Sequence, residues 1–272
     1  MAMRFQRRTP KVPGRLRRFG GSPRQVLEGD APHRRRGIYL LPNAFTTAAL
    51  FCGFFAIVQA MNLKFSTAGV AIFVAMVLDS LDGRVARLTN TQSDFGAEYD
   101  SLSDMVAFGV APGLVVYQWS LLSLGRWGWF AAFVYVAGAA LRLARFNTNI
   151  EVVDKNYFQG LPSPAAAAIV AGFVWVSDDM GYAGDDLRYL AWAVTLYAGL
   201  SMVSPSPFYS FKGINFRKSV PFIAAFLLVV ALVLVASDPP QWLFGLFVLY
   251  GLSGHILWLW RQLRRRPTQP IA

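Results

Sequence analysis

DSLDGRVARLTNTQSDFGAEYDSLSD, residues 79–104, is the stretch on which the reading of this chain turns. It places Asp79, Asp82, Asp94, Glu98, Asp100 and Asp104 within 26 positions, although the whole chain has only 15 acidic residues. The surroundings are the opposite in character. Of 272 residues 55% are hydrophobic and 15% charged, the net charge is +11 and the mean hydropathy is +0.40. Soluble domains carry about a quarter of their residues as charges. Several apolar runs here reach the ~20 residues that a helix needs to cross a bilayer. An acid deep in a membrane costs about 2.5–3.5 kcal/mol on insertion scales, so a cluster of them needs a chemical reason.

Working outward, eight apolar segments are predicted as spans: 38–61, 66–88, 95–122, 127–146, 163–177, 187–204, 219–236 and 241–260. The fifth is short and Ala-rich and is the weakest of them. The runs are continuous rather than alternating, and lipid offers the backbone no hydrogen bonds, so helices are expected. The fold class is an all-α polytopic membrane protein. Three regions are expected: a basic arm over 1–37, a transmembrane catalytic domain over 38–260 and a basic tail over 261–272. Cys52 is the single cysteine, inside an apolar run, and reads as a small packing residue. The tryptophans Trp119, Trp127, Trp129, Trp175, Trp242, Trp258 and Trp260 fall near span ends, as in an interfacial aromatic belt.

Charge sets the orientation. Eleven of the 26 Lys and Arg residues lie in positions 1–36. Arg84, Arg87, Arg142, Arg145, Lys155, Lys212, Arg217, Lys218 and four arginines at the C-terminus fall on the same side. Only Lys64, Arg126 and Arg188 fall on the other, with the acidic loop SDDMGYAGDD at 177–186. Positive charge stays cytoplasmic. Both termini and the acid-rich stretch are therefore expected at the cytoplasmic face. The arm lacks the apolar core and cleavage site of a signal peptide. Its bases suit anionic lipid headgroups, at about 1 kcal/mol each near the surface, better than nucleic acid.

Asp79 and Asp82 are three residues apart and share a helix face, which Gly83 and Ala86 continue with almost no side chain. Gly96, Asp100 and Asp104 follow one another at intervals of four and share a face of the next helix. The connection LTNTQSD is short, so the two helices are expected to pack as antiparallel neighbours with their acidic faces converging and Arg87 close by. Arg84 and Arg87 supply part of the neutralising charge. An all-oxygen ligand set without nearby His or Cys suits hard cations such as Mg²⁺ or Mn²⁺, and such ions usually accompany phosphate. Acids in membrane helices also serve cation transport, which stays open as an alternative. Asp94 and Glu98 read as solvated.

The spacing Asp79-x2-Asp82-Gly83-x2-Ala86-Arg87-x8-Gly96-x3-Asp100-x3-Asp104 resembles the motif of the CDP-alcohol phosphatidyltransferase family at every fixed position. LPNAFTTAALFCGFFAI (41–57), LRLARFN (141–147), YFQGLPSPAAAA (157–168) and SPFYSFK (206–212) are similar to segments of its integral-membrane phosphatidylserine synthases. The resemblance implies a six-helix core, here with two further helices, and a homodimer. It implies two divalent ions held by Asp79, Asp82, Asp100 and Asp104. It also implies phosphatidyl transfer from CDP-diacylglycerol to L-serine with release of CMP, in a prokaryotic cytoplasmic membrane. By the same resemblance Asp104 sits at the general-base position, and Asp100 shares in that role. Asp79, Gly83, Ala86, Arg87 and Gly96 would contact the CDP pyrophosphate. Asn43 and Thr46 are candidates to bond the cytidine or its phosphates, or else belong to an ordinary helix start. Arg142, Arg145, Ser210 and Lys212 are candidates for the serine carboxylate or the lipid phosphate, or else anchor the chain at the interface. Ser163 is expected to cap its helix. Other acceptors, namely glycerol 3-phosphate, inositol or choline, remain alternatives.

Overall fold

A computed structural model describes residues 40–89, 91–148, 157–209 and 222–264. The expected arm over 1–37 and residues 265–272 of the expected tail lie outside the described residues. The elements run α1 Leu40–Met61, α2 Phe65–Leu88, α3 Asp94–Asp104, a π-helical turn Met105–Val110, α4 Ala111–Trp119, a 3₁₀ turn Leu121–Leu124 and α5 Arg126–Thr148. They continue with β1 Tyr157–Gln159, α6 Ser163–Asp179, α7 Arg188–Val203, β2 Pro207–Tyr209, α8 Phe222–Ser237 and α9 Pro239–Arg264. The chain is an all-α membrane protein. Four of its described helices are long and apolar enough to cross a bilayer: Pro42–Met61, Phe65–Leu88, Arg126–Thr148 and Pro239–Leu263.

The described parts of the eight predicted segments each fall on helix, with two differences of substance. The third is not a regular helix, because a π-helical turn separates α3 from α4. The fifth, the weakest in sequence, forms the most enclosed helix. Every residue of α6 from Ala165 to Ala171 is buried, and α2, α4, α7 and α9 all pack on it. A helix surrounded by other helices needs small side chains that let backbones approach, so AAAA is the signature of its position. Its composition lowers the apparent hydropathy for the same reason that it suits the centre.

α8 is the opposite case. It packs on α9, and Ile223, Phe226, Leu227, Leu228, Val229, Leu232 and Val233 are all exposed. An apolar surface of that extent belongs in lipid or against another chain. The aromatic belt is only partly as expected. Trp127, Trp129, Trp242, Trp258 and Trp260 are exposed. Trp119 is buried instead, edge-on to Phe173 at 5.7 Å, and Trp175 packs on Phe73 at 5.6 Å. Trp119 of α4 is thus held against Phe173 of α6, whereas Trp175 is a half-buried residue of α6 itself, turned onto α2.

The loops before α6 and after α7 form a short antiparallel pair, in which Tyr157 faces Tyr209, Phe158 faces Phe208 and Gln159 faces Pro207. The turn from β1 into α6 depends on Gly160. Its φ is +82°, and a Cβ there would lie 2.2 Å from the Met202 carbonyl oxygen. Its own N–H donates to Ser206 O at 2.9 Å. Gly160→Ala is therefore expected to destabilise the protein by about 1–3 kcal/mol, since positive φ and a backbone clash act together. A thermal melt in detergent checks this, and an unchanged midpoint would contradict it.

Candidate active site

The site is built on α1. α2 runs along it, and α3 packs on it. Both lean on α1, and the acidic faces of α2 and α3 converge on the cleft between them, as expected. Thr46 of α1 joins the two walls. Its carbonyl accepts from Ser103 Oγ of α3 at 3.1 Å, and its hydroxyl donates to Asp82 Oδ2 of α2 at 2.8 Å. Tyr99 OH and Thr47 Oγ1 add a second α1–α3 bond at 2.9 Å. α3 starts at Ser93, whose Oγ accepts from Gly96 N–H at 3.0 Å, with Asp94 in the first turn where the helix dipole favours a carboxylate.

Four acids face this cleft. Asp79, Asp82 and Asp100 each offer a carboxylate oxygen, all within 4.8 Å of one another. Asp104 lies within hydrogen-bonding reach of the Asp79 carboxyl. Asp82 is 5% exposed, and Asp100 Oδ1 is the one buried side-chain polar atom among the described residues without a hydrogen-bond partner. Leaving a buried charged oxygen unpaired is expensive. A hard cation is the partner that such a group of oxygens accepts, so the residues present fit a divalent metal.

The small-residue face is open. A Cβ on Gly83 would meet nothing within 4 Å. Ala86 is half-buried and Arg87 exposed in the last turn of α2. A Cβ on Gly96 would lie 3.1 Å from Ser93 Oγ and 3.6 Å from Asn43 Oδ1, so Asn43 stands beside the start of α3. Thr46 is 4% exposed, with its hydroxyl engaged by Asp82.

The π-helical turn begins directly after Asp104. Its wide turn carries an Ala111 N–H to Val106 O bond, and the Phe108 carbonyl accepts from Tyr135 OH of α5 at 2.8 Å. One residue inserted into a helix rotates its two halves relative to each other. Asp100 and Asp104 can then face the cleft while Ala107, Phe108, Ala111 and Val115 stay buried. Sequence periodicity carries no signal for this turn. Its cues are tertiary: the Tyr135 hydroxyl, and the approach of α1 at Gly53, where a Cβ would sit 2.7 Å from Ala107 Cα.

On the far wall, Arg142 of α5 lies within electrostatic range of Asp104. Its Nη1 donates to Ser163 Oγ at 2.6 Å. Pro162, not Ser163, is the N-cap of α6, contrary to expectation, and the Ser163 hydroxyl is engaged by this guanidinium. Arg84 and Arg87 are the counter-charges expected from sequence, yet Arg142 is the base that faces Asp104. Arg145 Nη2 donates instead to the Val203 carbonyl at 3.3 Å. Ser210 and Lys212 lie outside the described residues.

A membrane helix bundle with four convergent aspartates beside an open glycine face defines a class of phosphate-handling enzyme, and comparison with known proteins bears on which. The pattern of the CDP-alcohol phosphatidyltransferase family matches residues 39–203. A Helicobacter pylori protein named CDP-diacylglycerol–serine O-phosphatidyltransferase is 37% identical over 225 residues, 82% of this chain and 92% of that one. Its namesake in Mycobacterium bovis is 34% identical over 83% of this chain and 80% of its own. The one in Methanocaldococcus jannaschii is 33% identical over 69% and 82%. The chain belongs to the CDP-alcohol phosphatidyltransferase family, and the cation-transporter alternative is set aside.

Proposed function

We propose that the protein is a phosphatidylserine synthase, transferring the phosphatidyl group of CDP-diacylglycerol to the hydroxyl of L-serine and releasing CMP. The observation that carries the reading is the convergence of Asp79, Asp82 and Asp100, with Asp104 against them, next to the open face of Gly83. The names of the relatives support serine as acceptor.

In this reading Asp79, Asp82, Asp100 and Asp104 hold two divalent ions, Mg²⁺ or Mn²⁺, which when bound neutralise the pyrophosphate and stabilise the attacking and leaving oxygens. The pyrophosphate lies over Gly83, Ala86 and Gly96, with Arg87 and Asn43 at its edge. Thr46 fixes Asp82 from below. The serine hydroxyl gives its proton to Asp104, with Asp100 assisting, and forms a bond to the phosphorus bearing the diacylglycerol. The bond from that phosphorus to the CMP oxygen breaks. Arg142 takes the serine carboxylate, for which a planar guanidinium is suited. Arg145, Ser210 and Lys212 are the residues assigned to the lipid phosphate. Because a hydroxyl is a weak nucleophile, positioning and electrostatics supply most of the rate.

The same reading places the protein in a prokaryotic cytoplasmic membrane, with both termini and the cleft on the cytoplasmic side. It acts as a homodimer, with the basic arm on anionic lipid. Identifying the phospholipid formed from CDP-diacylglycerol with serine, glycerol 3-phosphate, inositol or choline tests the assignment. Phosphatidylserine alone is expected; product from another acceptor with none from serine would overturn it.

A further inference from the structure

Arg142 is held by a residue that the family spacing does not include. Ser163, the first residue of α6, is completely buried, and its hydroxyl receives Arg142 Nη1 at 2.6 Å. A serine at a helix start ordinarily turns its oxygen onto its own backbone N–H groups. Here the N-cap is Pro162, which has no side-chain oxygen, and the Ser163 oxygen accepts across to α5. Ala166 N–H is satisfied by the Pro162 carbonyl at 2.9 Å, and Leu161 N–H by Ser201 O at 3.0 Å. The backbone around Ser163 thus holds the residue in place while its side chain serves another helix.

The guanidinium has further neighbours. Asp104 of α3 is within electrostatic range on one side and Tyr250 of α9 on another. The Tyr250 hydroxyl donates to the Tyr209 carbonyl at 3.0 Å, and its ring packs on Phe208 at 5.8 Å. α9 lies beyond residue 203, where the family match ends. Left to itself, a long flexible arginine beside a carboxylate cluster would fold down onto the acids. A neutral acceptor at 2.6 Å holds one of its five N–H donors and leaves the others for a ligand.

We propose that Ser163 is a positioning residue for acceptor recognition: it holds the Arg142 guanidinium above the carboxylates so that it grips the anionic group of the incoming alcohol. The inference rests on the serine-transfer reading, and it concerns KM for the acceptor rather than the chemistry at phosphorus.

The test is steady-state CMP release by the purified full chain, with serine and CDP-diacylglycerol varied separately. Ser163→Ala is expected to raise the KM for serine about tenfold to a hundredfold, the range for a lost hydrogen bond to a charged group. KM for CDP-diacylglycerol should stay within about twofold. Ser163→Cys keeps the packing volume but offers only a weak acceptor, and should show the same split even if the alanine variant folds poorly. In an Arg142→Lys background, adding Ser163→Ala should change the serine KM little, because the residue acts through Arg142. Equal rises in both KM values, or full additivity with Arg142→Lys, would overturn the proposal. Serine-dependent release by the unsubstituted protein is measured in the same series, so failure of the serine reading is seen separately from failure of the positioning role.

Discussion

Asp104→Asn is expected to lower turnover by about 10²- to 10⁴-fold, the usual worth of a positioned general base. The substitution keeps the shape of the side chain and removes its ability to accept the serine proton. Folding should survive it. Asp104 lies against Asp79, near Asp100 and on the side of the cleft that Arg142 faces, so losing one negative charge relieves repulsion in a crowded acidic site. CMP release, with a detergent melt as control, checks both halves. Turnover within tenfold of the unsubstituted protein would remove Asp104 from the proton-transfer step.

Gly83→Leu is expected to separate folding from substrate binding even more cleanly. A Cβ there meets nothing within 4 Å, so the fold has no steric objection to a side chain. Gly is a poor helix former, and its replacement inside α2 should hold or raise the melting midpoint. The leucine would instead fill the space in which the pyrophosphate approaches the backbone, and kcat/KM for CDP-diacylglycerol should fall by about 100-fold or more, equivalent to about 2.7 kcal/mol. Gly245→Leu on α9 is the control, since it too has open space around its Cβ. It should leave activity near normal. A normal kcat/KM in Gly83→Leu would move the nucleotide elsewhere.

Much of the site was legible in the sequence because it rests on local periodicity. Asp79 with Asp82, and Gly96 with Asp100 and Asp104, needed only the helical repeat to be placed on faces, and the structure brings the acids together. The helix positions came from apolar length. What escaped depends on contacts between distant segments. The π-helical turn after Asp104 requires Tyr135 and Gly53, which lie far along the chain in either direction. The support of α3 by α1 depends on Ser103 and Tyr99 finding Thr46 and Thr47. Thr46 was readable as a polar residue near the site, but not as the donor to Asp82. Arg142 and Ser163 are 21 residues apart on different helices, and only the fold pairs them.

The central claim is that the aspartate cleft performs metal-dependent transfer to serine, and one assay addresses it most directly. Purified protein is given CDP-diacylglycerol and Mn²⁺ or Mg²⁺, and CMP release is measured with and without serine, after EDTA, and after metal is restored. The expected result is release that requires serine, disappears in EDTA and returns with the metal. Release that persists in EDTA, or that proceeds equally without serine, would contradict the account.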